Sequence, residues 1–144
     1  MLCLSVNVRK LKIIAVISLS VILAGGIIYF MRSSEKSDRI TLESNSSRVG
    51  FLNMNGYDVS EENYQCDSVH IPYDFSAVYE QYNQIQIKQG FNLSKFKGKE
   101  ADIYTYHLNN DENINLVLII HDNTLIGCDV HNSEYGSEIL PLIN

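Results

Sequence analysis

The 19 residues from Ile13 to Met31 contain no charged side chain, and no other feature constrains the architecture of this chain as strongly. About 20 helical residues cross a ~30 Å hydrocarbon core, so the run predicts a transmembrane helix. Ser18 and Ser20 are its most polar members, and Tyr29 and Phe30 fall at the interfacial aromatic belt. The chain then divides into a cytoplasmic stub (1–12), a span (13–31), a juxtamembrane linker (32–40) and one outward domain (41–144). Arg9, Lys10 and Lys12 stand immediately before the run, whereas Arg32, Lys36 and Arg39 behind it are interleaved with Glu35 and Asp38. The positive-inside rule therefore places the N-terminus in the cytoplasm and the domain outside.

A cleavable signal peptide is the rival reading. Its apolar region is typically about 7–15 residues and ends in a small-x-small site. Here Ala24-Gly25-Gly26 is followed by Ile27, Ile28, Tyr29 and Phe30, which read as the far half of a span. No Cys follows Ala24-Gly25, which argues against lipoprotein processing, and Cys3 reads as an ordinary thiol.

From Arg32 onward, eight cationic residues face 17 acidic ones, a net charge of −9. Nucleic acids and anionic lipid surfaces select basic patches, so nucleic acid is excluded as a partner. Lys95, Lys97 and Lys99 form the one basic stripe and read as solvated loop residues. Cys66 and Cys128 are the only thiols beyond the span. An outward location permits a bridge between them, but a disulfide framework shows more cysteines at closer spacing, so two separate thiols are the default.

About 100 residues make one domain with a single modest core. Thr41 to Asn55 is expected to be helical in its second half, with Arg48, Val49, Phe51 and Leu52 as its stripe and Gly56 ending it. Tyr57 to Val59 reads as extended, Glu61 to Gln65 as loop, and Val69 and Ile71 as a short strand stopping at Pro72. Phe75, Val78, Tyr79, Tyr82, Ile85 and Gln89 step by three and four, predicting a helix capped by Asp74 and ended by Gly90. Phe91 then folds back on that helix as the contact of its C-terminal cap.

Three strands follow, Glu100 to Leu108, Ile114 to His121 and Thr124 to Val130, joined by Asn109–Asn113 and by the tight Asp122-Asn123 link. Leu116 to Ile120 is apolar throughout, as in a central strand covered on both faces. That register groups Ile103, Val117, Ile119, Ile126, Cys128 and Val130 on one face, and Tyr104, Tyr106, Leu116, Leu118 and Leu125 on the other. One face receives the Phe75–Gln89 helix; the other meets the first helix, a partner or water.

Val78-Tyr79-Glu80-Gln81-Tyr82-Asn83, then Gln89-Gly90-Phe91-Asn92-Leu93-Ser94-Lys95-Phe96-Lys97-Gly98-Lys99, resembles a bacterial family known as domain of unknown function 4830. Ile103-Tyr104-Thr105-Tyr106, Leu125-Ile126-Gly127-Cys128-Asp129-Val130, and Phe51-Leu52 ahead of Gly56-Tyr57 carry the same resemblance. It covers roughly Arg48 to Leu140, and Gln-Gly-Phe-x-Leu-Ser is its most specific stretch. The resemblance implies a short membrane-anchored or exported protein of a Gram-positive, Clostridia-like bacterium. It implies no catalytic residue, because the family has no established activity. Cys128 departs from the glycine expected beside Gly127, so no shared role carries over to that position.

Of the residues that carry chemistry, Cys128-Asp129-Val130-His131 is the only tight cluster. Cys128 and His131 point to opposite strand faces, and His107 and His121 are about 20 Å apart at ~3.3 Å per residue. A zinc site needs three or four converging ligands, so no metal is expected. Ser94 and Ser133 lack a nucleophile elbow, neither cysteine has a local catalytic signature, and no glycine-rich phosphate loop is present. No catalytic residue and no cofactor are assigned.

Asp129, between apolar neighbours, reads first as a solvated or edge-pairing carboxylate and second as functional. Tyr104 and Tyr106 read first as a packing layer under the first helix and second as an aromatic docking surface. Asp129, Cys128, Tyr104 and Tyr106 are therefore the candidate interaction residues. The expected fold is α+β, a mainly antiparallel sheet of three to five strands packed against one or two helices behind a single transmembrane helix. The expected function is non-enzymatic interaction or sensing outside the membrane, with the bilayer held through residues 13–31 and an envelope protein or peptide as partner. An enzyme, or enzyme inhibitor, acting on envelope peptides or polymers is the alternative.

Overall fold

A computed structural model describes residues 39–143, so the expected span 13–31 and the stub 1–12 lie outside the described residues. Among the described residues, no helix is long and apolar enough to cross a membrane. Their elements are α1 (Asn45–Met54), β1 (Tyr64–His70), α2 (Ala77–Lys88), a single 3-10 turn (Leu93–Phe96), β2 (Glu100–Leu108), β3 (Asp111–His121) and β4 (Thr124–Asn132). The strands form one antiparallel sheet in the order β1-β2-β3-β4. This is the expected α+β architecture, with four strands and two helices.

Local chemistry explains the boundaries. Ser44 and Ser47 cap α1 reciprocally, each side chain accepting from the other's backbone N–H. Both helices end as expected at glycines with positive φ, Gly56 at +90° and Gly90 at +88°. At each, the N–H groups of the glycine and of the next residue turn back to carbonyls of the last turn, Gly56 to Asn53 and Tyr57 to Leu52, Gly90 to Ile87 and Phe91 to Gln86. Asp122 and Asn123 both take positive φ, 48° and 60°. That is the backbone of the two-residue hairpin turn that matches strand twist, and Asp and Asn tolerate it best after glycine.

The sheet is covered on both faces. Leu42, Val49, Leu52 and Val59 pack with Tyr106, Leu116, Leu118, Ile120 and Leu125 under α1. On the other face Phe75, Tyr79 and Tyr82 of the α2 side join Leu93, Ile103, Val117, Ile119 and Ile126.

Four expectations are corrected. Cys128 and Val130 lie on the Leu116/Leu118 face, not with Ile126. Gly127 pairs with Ile119 and Leu125 with Ile120, so Ile126 is an extra residue on β4. A bulge of one residue moves every later side chain to the opposite face. Ser76, not Asp74, caps α2, its side chain accepting from Tyr79 N–H at 3.2 Å. Val78 is 76 % exposed and leaves the expected stripe, while the carboxamides Asn83 and Gln86 are buried beside Tyr79 and Tyr82, which pack as expected. Finally, β1 begins at Tyr64 within the expected loop, and β3 begins at Asp111 within the expected Asn109–Asn113 turn.

Candidate functional site

The two edges of the sheet differ in how their outward backbone groups are satisfied. On β4 they are satisfied along most of the strand. Leu42 N–H donates to Asn123 O and Leu125 N–H to Ile40 O, while Val130 exchanges both of its bonds with Leu140. Between them, Gln86 and Gln89 act as a substitute strand. Gln86 Oε1 accepts from Cys128 N–H at 2.8 Å, and Gln89 Nε2 donates to Cys128 O at 2.9 Å. Gln89 Oε1 also accepts from Leu142 and Ile143 N–H, which holds the C-terminal segment in place. Gly127 permits this approach, since a Cβ there would lie 3.0 Å from Gln86 Oε1.

β1 is bare. Ile71 N–H donates inward to Lys99 O, and bonding direction alternates along an antiparallel strand. Cys66, Ser68 and His70 therefore direct N–H and C=O away from β2, and among the described residues these groups have no partner. Six of the seven β1 residues are exposed. An unpaired edge of this kind is a template for another strand, and most proteins blunt it with lysine, proline or a bulge. β1 carries none of these and pairs with β2 in unbroken register.

Beside that edge lies a cationic, aromatic cluster. Tyr64 and Cys66 stand opposite Tyr106 and Tyr104, so all four share the α1 face. From α1, Arg48 places its guanidinium carbon 3.8 Å from the Tyr104 ring centroid and 5.9 Å from that of Tyr64. Its Nε–H donates to Tyr106 Oη at 2.9 Å, and the Tyr106 hydroxyl donates to Asn45 Oδ1 at 2.6 Å. Burial pushes the Tyr106 phenol up, although Arg48 pulls it down, so it remains a protonated donor. Arg48 is 6 % exposed and forms no ion pair among the described residues. Its terminal nitrogens have no acceptor there and are not sealed from solvent. Stacking on two phenol rings offsets part of the cost of burying that charge.

The four expected residues thus do not form one site. Tyr104 and Tyr106 belong to the Arg48 cluster, Tyr106 fully buried as the packing layer and Tyr104 half-buried. Cys128 sits two strands from Tyr104 with Leu118 between them. Burial, helped by the charge of Asp129, pushes its thiol up to about 12. Cys66 and Cys128 are both free, and three strand spacings of ~4.8 Å set them about 14 Å apart, beyond the reach of a disulfide.

Asp129 points the other way, towards α2, and is 3 % exposed. Tyr82 Oη donates to it at 2.6 Å and His131 Nδ1 at 2.9 Å, while His131 Nε2 accepts from Asn115 Nδ2 at 3.3 Å. Burial and then the Asp129 charge push the Tyr82 phenol far up, which keeps it a donor. Both nitrogens of His131 are engaged, so the array fastens α2 to β4 and aims no group at a ligand. A cleft of about 370 Å³ lies at the Glu100 end of the sheet, lined by Ser68, Lys99, Asp102, Ile120, His121 and Asp122 and by none of the four expected residues.

The thiol at Cys128 makes a pH prediction. The unfolded thiol titrates near 9 and the folded one near 12, so the unfolded chain sheds this proton first. Stability from the neutral buried thiol is complete below pH 9 and is lost as pH rises towards 12, by up to about 1.4 kcal/mol per pH unit. Urea midpoints at pH 8 and pH 10 are expected to differ more for the native chain than for Cys128→Ala.

Sequence reasoning did not single out Gln86, and it placed Arg48, Tyr82 and Gln89 on helix stripes and His131 in a cluster without assigning them a role at a site. The signal available for two of them, Gln86 and Gln89, was their i, i+3 spacing with Asn83, a polar stripe on a helix that must face a sheet. The Gln89–Ser94 stretch has the same structural character. Gln89 clamps β4, Gly90 ends α2, Asn92 Oδ1 caps the 3-10 turn through Ser94 N–H, and the fully buried Leu93 donates its N–H to Asn83 Oδ1. No curated protein and no solved structure matches the chain. A family model described as "Domain of unknown function (DUF4830)" matches residues 51–130, more than half of the chain, and so the chain belongs to that family.

Proposed function

We propose that this chain is a single-pass membrane protein whose extracytoplasmic domain is a non-enzymatic docking module. It takes an extended segment of an envelope partner as a fifth strand alongside β1. The observation that carries this reading is the contrast between the edges. The fold commits both ends of the domain and two carboxamides to covering β4, yet among the described residues the outward groups of Cys66, Ser68 and His70 have no partner. Strand addition supplies affinity through main-chain bonds and specificity through alternate side chains. A tether raises local concentration, so modest affinity suffices at a membrane surface.

A photo-crosslinking amino acid at Asp67 tests the reading in intact cells. Asp67 is exposed, and its backbone bonds inward to β2. A discrete heterologous adduct is expected, and Ser68→Pro is expected to abolish it. Proline there removes an outward N–H and leaves the β1–β2 ladder intact, so the melting temperature stays within a few degrees. An adduct of twice the chain mass would reassign the edge to self-association. No adduct, or one indifferent to Ser68→Pro, overturns the proposal.

A further inference from the structure

We infer that the strand received by β1 carries one acidic side chain, glutamate or aspartate, whose carboxylate is bound by Arg48 between Tyr64 and Tyr104. This rests on the docking reading above and names the chemistry of its partner. Four observations converge on it. The first is that Arg48 is a cation nine-tenths buried with no carboxylate among the described residues. A buried charge ordinarily has a charged partner, and here the partner's place is open.

The second is orientation. Nε–H is held by the Tyr106 hydroxyl, and the guanidinium lies over the Tyr104 ring. One side of the fork is thereby fixed, while the terminal nitrogens keep their donors for a planar acceptor. Carboxylate is the acceptor that a guanidinium fork matches with two parallel bonds.

The third is the path from the edge. Cys66 stands directly opposite Tyr104, between the β1 edge and the guanidinium. Its side chain is short. A strand added beside β1 lies about 4.8 Å farther out, and a glutamate on its α1 side reaches back over Cys66. Tyr64 is stacked against Tyr106, with centroids 5.4 Å apart and planes 23° from parallel, so it walls one side of that path without blocking it.

The fourth is charge. The chain from Arg32 onward carries a net charge of −9, which repels a polyacidic segment at long range. The acid recognised by Arg48 is therefore a single one set among neutral strand-forming residues, bound at short range where the guanidinium dominates.

A random heptapeptide phage library panned on the full-length chain in detergent micelles tests this, with Ser68→Pro as counter-selection. The expected result is enrichment of sequences that share Asp or Glu at one fixed position and lose binding to Ser68→Pro. In the best of them, replacing the acid by its amide, Gln or Asn, should weaken binding to the native chain at least 10-fold. Arg48→Met should erase that difference. The acid-to-amide comparison keeps the test decisive if Arg48→Met fails to fold. Added peptide should also slow amide hydrogen exchange at Cys66, Ser68 and His70, the outward N–H groups, which keeps strand addition testable without any mutant. Peptides that protect those amides but share no acid, or whose amide version binds equally, overturn the Arg48 assignment and leave strand addition standing. A library yielding nothing sensitive to Ser68→Pro, with no protection at those amides, overturns both.

Discussion

Leu118→Ala is expected to cost the domain about 3–5 kcal/mol, the upper part of the range for a large-to-small change in a well-packed core. Leu118 is fully buried on β3 between Tyr104 and Cys128, under α1. The sheet backbone on both sides is paired, so the site collapses poorly and a cavity remains. At about 4–8 °C per kcal/mol for a domain of this size, the melting temperature falls by at least about 12 °C. Thermal unfolding followed by circular dichroism checks this. A loss below about 1.5 kcal/mol would mean that α1 does not cover that face of the sheet.

The double substitution Gln86→Ala/Gln89→Ala is expected to be of similar size, about 3–5 kcal/mol, for a different reason. It deprives Cys128 N–H, Cys128 O, Leu142 N–H and Ile143 N–H of their partners. Each buried orphan costs about 1–3 kcal/mol, and water reaching the half-buried tail limits the sum. The two residues share Cys128 as a partner, so the single losses should not add to the double one. A second consequence separates this from simple core damage. Cys128, in the middle of the β4 edge, is left with outward groups unpaired, and the double variant should self-associate at concentrations where Leu118→Ala stays monomeric. Analytical ultracentrifugation of both variants below their melting temperatures makes the comparison.

These two experiments probe different kinds of information in the chain. The apolar face of β3 is legible residue by residue. Leu116 to Ile120 has no polar member, and a strand covered on both sides by helices needs that pattern. The hairpin at Asp122-Asn123 and the caps at Gly56 and Gly90 are legible too, because positive φ is a local demand that few residue types meet. The candidate site was visible only in fragments. Tyr104 and Tyr106 carried an aromatic signal, but Arg48 looked like one member of a helix stripe. Its role depends on Tyr64, which sat in an apparent loop.

β1 eluded periodicity because it is an edge strand exposed on both faces, so burial imposed no alternation on Tyr64-Gln65-Cys66-Asp67-Ser68-Val69-His70. It is a strand because β2 offers it a complementary ladder, and that is a property of residues about 35 positions away. The bulge at Ile126 eluded detection for a related reason. Nothing in Leu125-Ile126-Gly127-Cys128 announces an extra residue; Gln86 stabilises it by accepting from Cys128 N–H across 42 positions. With that single insertion, Cys128 moved under α1 and Asp129 turned towards Tyr82, the reverse of the faces that unbroken alternation gives them.

The local chain thus specified the Asp122-Asn123 hairpin, the helix ends at Gly56 and Gly90, the expectation of an apolar span at 13–31 and the order of β2, β3 and β4. Each of these depends on the conformational limits or the hydrophobicity of neighbouring residues. The assembled sheet settled which edge is sealed, which face Cys128 occupies and where Arg48 finds its tyrosines. Those outcomes depend on hydrogen-bond partners and charges supplied by distant segments, and such partners exist only once the strands have paired.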